Sequence, residues 1–141
     1  MAKTGIKIFT VILLALTSFK SNAQFSLTGS DPAAVRWRQM ETENFKLIFP
    51  KGEDSLARVY GTELEEARLR IARSSGYLIG QSYKGKMPVV LHSRYVLPNA
   101  SVTWAPKRMD IFTVNDPYEP MAMPWVRNLA IHEGRHAAQM Q

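Results

Sequence analysis

The sequence predicts an α+β fold in which a small mixed sheet packs on one long helix, with a second helix near the C-terminal end. Three observations lead to it. Leu56, Val59, Tyr60, Leu64, Ala67 and Ile71 repeat at three- and four-residue spacing, as one buried helix face requires. Short apolar runs bounded by proline and glycine flank that segment, and the order strand, helix, strand implies a right-handed crossover with parallel pairing. Trp125, Leu129, His132 and His136 return to helical spacing at the end of the chain.

The first residues read as an address rather than as fold. Lys3 and Lys7 precede an apolar run over residues 8–16, and Ser21-Asn22-Ala23 offers small residues at both ends of a triplet. Together these describe a secretory signal peptide over residues 1–23, cleaved after Ala23, and hence an exported, periplasmic or extracellular product. The alternative is an anchor that stays attached, but the run falls short of the roughly 20 residues a spanning helix needs. The chain contains no cysteine, which excludes disulfides and lipid attachment through a thiol. Of the six net positive charges, Lys3, Lys7 and Lys20 carry three. What remains is ordinary solubility, with no basic run interleaved with aromatics, so nucleic acid is not expected as a partner.

Residues 24–141 suffice for one modest core and not for two domains. No repeat, linker or low-complexity tract interrupts them. Ser30-Asp31-Pro32 breaks the chain before a short segment around Trp37, expected as a helical turn packed on the sheet. Residues 45–49 alternate and stop at Pro50, as a strand does, and Lys51-Gly52 turns the chain. The long helix follows, with Glu65–Arg68 and Glu66–Arg70 expected on its wet side and Ser74-Ser75-Gly76 as its stop. Val89-Val90-Leu91 reads as a buried strand that also takes in His92, for which a core or surface role is expected. Residues 101–105 and 109–114 are two further strands, neighbours because Pro106-Lys107 connects them so briefly. Asn99-Ala100-Ser101 fits a glycosylation sequon, a match too common to carry weight. Loop residues 115–120 lead to Pro124, which suits the first turn of the last helix.

That helix spells H-E-x-x-H over His132-Glu133-Gly134-Arg135-His136. Positions i and i+4 share a helix face, so His132 and His136 can direct two imidazoles at one metal ion while Glu133 projects beside them. Zinc accepts such rings at about 2.0–2.1 Å and lowers the pKa of water in an open position toward about 7. The intervening glutamate can take the proton. The triplet therefore reads as two zinc ligands and a general base. A helix with two incidental histidines is the alternative. Gly134 costs roughly 1 kcal/mol against alanine within a helix, and close packing would explain it. Only residues 137–141 follow His136, so the domain reads as truncated after its active-site helix, without a third ligand.

The run Val102-Thr103-Trp104-Ala105-Pro106-Lys107-Arg108-Met109, followed by Leu129-Ala130-Ile131-His132-Glu133-Gly134-Arg135-His136, resembles the peptidase-MA-like gluzincins of Bacteroidota. Asp31-Pro32, Trp37-Arg38, the strand ending at Pro50 and Gln139 extend the resemblance over most of residues 24–141. Members are exported, and their metallopeptidase domain is often followed by a TolB-like β-propeller. The resemblance implies a zincin-like N-terminal subdomain, zinc held by His132 and His136, and Glu133 as catalytic base. It also implies a peptide or protein substrate, a possible C-terminal propeller, and a third ligand from a glutamate on a later helix, a position this chain lacks. Two functions are thus in view: the N-terminal part of a zinc metallopeptidase, or a non-catalytic envelope-associated module that keeps a zincin-like shape.

Overall fold

The computed structural model describes residues 31–77, 79, 85–96, 98–117 and 122–140. The expected signal peptide, part of the loop before the last helix and the terminal residue lie outside them. Two helices and five strands form a mixed α+β fold: β1 (Trp37–Glu41), β2 (Phe45–Pro50), α1 (Asp54–Ser75), β3 (Met87–His92), β4 (Asn99–Thr103), β5 (Arg108–Phe112) and α2 (Trp125–Gln139). The strand order is β1-β2-β3-β5-β4. The central pairs β2–β3 and β3–β5 are parallel, and each outer strand joins antiparallel.

Alternation decides which face is covered. Phe45 and Leu47 of β2 pair in register with Met87 and Val89 of β3, and Val89 and Leu91 with Met109 and Ile111 of β5; these and Phe49 are buried in one cluster with both helices. Each such side chain contributes on the order of 1.5–3 kcal/mol by leaving water. Pro88 is tolerated within a central strand because β5 begins pairing only opposite Val89, so its missing N–H falls where β3 has one neighbour. On α1 the buried set is Ala57, Tyr60, Gly61, Leu64, Ala67 and Ile71. Val59, expected on that face, is exposed instead, and Ala57 and Gly61 take part in its place. Gly76 ends the helix in the left-handed conformation at φ 74°, with its N–H donated to the Ala72 carbonyl.

Two further expectations are corrected. The segment around Trp37 is an edge strand and not a helical turn: residues 37–41 pair antiparallel with β2 over their whole length. Glu65 is no mere member of a solvated pair. Its carboxylate accepts from Thr42 Oγ1 at 2.7 Å, Asn44 N at 2.7 Å and Asn44 Nδ2 at 2.8 Å, tying the β1–β2 turn to α1. Burial alone would raise its pKa, but these donors outweigh that and hold it below the ordinary value. Arg68, its expected partner, donates to the Ile79 carbonyl at 2.7 Å.

Candidate metal centre

Helix α2 begins after Pro124, which stands at the cap position and not in the first turn, its carbonyl accepting from Arg127 N and Asn128 N. Two contacts fix the helix on α1. Arg127 clamps Glu63 by donating from Nε and Nη2 to its two carboxylate oxygens, at 2.8 and 3.0 Å. One turn beyond Ala130, Gly134 meets Ile71: a Cβ at that position would lie 2.5 Å from Ile71 Cδ1. The close packing expected of Gly134 is therefore present. The C-terminal end is held by Lys107, whose ammonium donates to the Met140 carbonyl at 3.1 Å. The β4–β5 turn quoted in the resemblance thus touches the end of the H-E-x-x-H helix.

The resulting rotation differs from the stripe read in the sequence. Leu129, Ala130, Glu133, Gly134, Ala137 and Ala138 form the buried face, while His132 and His136 are exposed. Their rings meet edge-on with centroids 4.9 Å apart, and the two Nε2 atoms are 3.2 Å apart. Two ligands at zinc's usual bond length and a tetrahedral angle would be separated by about 3.3 Å. The pair therefore fits the bite of one zinc ion. Without an ion, the same contact is an N–H of one ring donating to the bare nitrogen of the other.

Glu133 behaves differently from its neighbours. Its side chain is 5% exposed against 64% for His132, yet Oε1 comes within 4.0 Å of His132 Nε2. Burial raises the Glu133 pKa above the ordinary carboxyl value, and the charges of His132 and His136 only partly oppose this. A carboxylate made more basic and set beside two ring nitrogens can receive a proton from a molecule held there. Among the described residues no group of three or more His, Cys, Asp or Glu side chains could hold a metal ion.

His92, the remaining histidine, lies on the opposite, helix-free face of the sheet. Its Nδ1 meets Asp31 Oδ2 and its Nε2 meets Asp110 Oδ1 at 3.1 Å, while Arg108 Nε donates to Asp110 Oδ2 at 2.8 Å. Phe112 stacks on the ring at 4.7 Å and Trp37 meets it edge-on. Carboxylates only accept, so the ring holds both protons when Asp31 and Asp110 are ionised. Desolvation pulls its pKa down, but hydrogen bonds to Asp110 and Asp31 prevail and leave it raised. Asp110 is the converse: burial pushes it up, and His92 and Arg108 more than offset that. The sequence marked His92 as a strand residue but did not name its partners. Period-two placement of His92 and Asp110 on adjacent strands was the one available signal.

Compared with known proteins, the chain matches no family model, no curated protein and no solved structure.

Proposed function

We propose that this chain carries two zinc ligands and the general base of an exported metallopeptidase of the peptidase-MA-like gluzincin kind, in a zincin-like subdomain. The observation that supports it most is the 3.2 Å separation of the His132 and His136 Nε2 atoms on one helix, beside the buried Glu133 carboxylate. His132 and His136 would hold the ion as neutral rings through Nε2. Zinc, when bound, supplies Lewis acidity that lowers the pKa of water and polarises a carbonyl. Glu133 accepts the proton that the nucleophilic water gives up and can return it to the leaving amine. Its buried side limits competition from bulk water, and Gly134 and Arg127 keep the helix at the rotation that aims both rings outward. The third donor would come from outside the described residues, in the family's pattern a later glutamate. Export rests on the basic, apolar and small-residue pattern of residues 1–23. Among the described residues no helix is long and apolar enough to cross a membrane.

The test is zinc titration with peptide hydrolysis as a second readout. His132→Ala and His136→Ala should each abolish zinc binding by the chain, which with two imidazoles should be weaker than micromolar, about 8 kcal/mol of binding free energy. In a longer product supplying the glutamate, binding should tighten and turnover appear, and Glu133→Gln should then stop turnover while zinc stays bound. Zinc binding untouched by either histidine substitution would overturn the reading. Tight zinc binding with no peptide hydrolysed by the longer product would assign the non-catalytic module instead.

A further inference from the structure

Three cationic side chains line one cavity at the carboxyl ends of β2 and β3. Arg36 precedes β1, Lys51 follows β2, Arg94 lies two residues past β3, and Pro32 and Pro50 complete the walls of a space of about 240 Å³. Elsewhere on this surface Arg38, Arg70, Lys86, Arg108 and Arg127 each face a carboxylate. Among the described residues Arg36, Lys51 and Arg94 form no ion pair, and all three are exposed. Three like charges set around one space favour the approach of an anion.

The walls are pre-set. Lys51 N donates to the Arg36 carbonyl at 2.7 Å, joining two of the three contributing segments. Asp31, at the head of the wall segment, is clamped to His92, two residues before Arg94. That contact belongs to the Asp31–His92–Asp110–Arg108 cluster, in which His92 and Asp110 are buried, so the loops bearing Arg36 and Arg94 share one anchor. Open sheets with parallel strands commonly take ligands outside the carboxyl ends of those strands.

We propose that this pocket binds a phosphate group, at a site separate from the histidine pair. Two guanidinium forks and one ammonium can each engage a different oxygen of a phosphate group. A phosphate monoester carries close to two negative charges at neutral pH, whereas a single carboxylate would leave two of the three cations uncompensated. A free phosphate compound and an anionic lipid headgroup present the same chemistry, and the experiment separates them.

Pyrophosphate is titrated into the 141-residue chain, its Arg36→Gln and Arg94→Gln variants, and an Arg73→Gln control that removes an exposed cation from the last turn of α1. Saturable binding should weaken by about tenfold or more in each pocket variant, as loss of a charge-assisted hydrogen bond implies, and stay essentially unchanged in the control. Phosphatidylcholine vesicles with and without phosphatidylglycerol form the second arm. Binding that requires phosphatidylglycerol, is lost in both pocket variants and is competed by pyrophosphate assigns a lipid headgroup. Pyrophosphate binding without such vesicle binding assigns a free phosphate compound. No saturable pyrophosphate binding, or an equal loss in Arg73→Gln, overturns the proposal.

Discussion

His92 on one side of the sheet and the His132–His136 pair on the other are opposite uses of the same side chain. His92 is buried, stacked, and engaged by a carboxylate at each nitrogen. Both nitrogens of a ring in that setting are already engaged, leaving no free lone pair to offer a metal, which requires neutral imidazole. His132 and His136 are exposed, and their Nε2 atoms have each other. A polar network whose every member is satisfied stiffens a fold, whereas ring nitrogens left facing solvent are the ones a ligand can recruit.

The largest test of that contrast is Asp110→Asn. It would leave His92 and Arg108 without their shared buried countercharge, which should cost about 3–5 kcal/mol in urea unfolding. A loss below about 1 kcal/mol would mean that the cluster is not the structural element described. The same cluster has a pH signature. His92 is raised in the folded state, so its contribution is complete below the unfolded value of about 6.5 and is lost as pH rises through the higher folded value. Asp110 is lowered, so its contribution is present above the reference value of 3.8 and is lost as pH falls through the folded one. Stability should therefore decline as pH rises above about 6.5, and His92→Gln should flatten that slope.

A smaller effect is expected from Gly134→Ala. The added methyl would gain about 1 kcal/mol of helix propensity but overpack against buried Ile71 at about 1–3 kcal/mol. Overpacking should win, giving a net loss near 1 kcal/mol. Combining it with Ile71→Ala should cost less than the two changes summed, because the new methyl enters the space vacated. The least effect on stability should come from His136→Ala, within about 0.5 kcal/mol because the ring is exposed, while zinc binding disappears. The contrast between the two regions fails if His136→Ala destabilises as Asp110→Asn does.

Much of the scaffold was legible because its periodicities are local. The stripe in α1, the alternation in β2, the apolar run in β3 with the parallel pairing their order implied, and the i, i+4 histidines all lie within short windows. β1 was not, since Trp-Arg-Gln-Met-Glu has no alternation of its own and gains strand structure from pairing with β2 alone. Glu65 illustrates a second limit. Arg68 is three residues away along the helix, but Thr42 and Asn44, 23 and 21 residues away, offered three better donors. The His92 cluster spans 61 residues to Asp31 and 18 to Asp110, separations at which no spacing rule operates. The rotation of α2 was equally hidden, because the bare Cα of Gly134 sets it through Ile71.

Arg127 on Glu63 and Gly134 on Ile71 grip α2 at points two turns apart. A rod held once can spin or rock; held twice on the same side, it can do neither. If the pair holds a metal as proposed, the two imidazoles are aimed before any ion arrives, and the ordering entropy of the backbone that carries them has already been spent in folding. Only the ring torsions remain to be frozen on binding, so loosening either grip should weaken metal capture through entropy while both donors stay in the sequence.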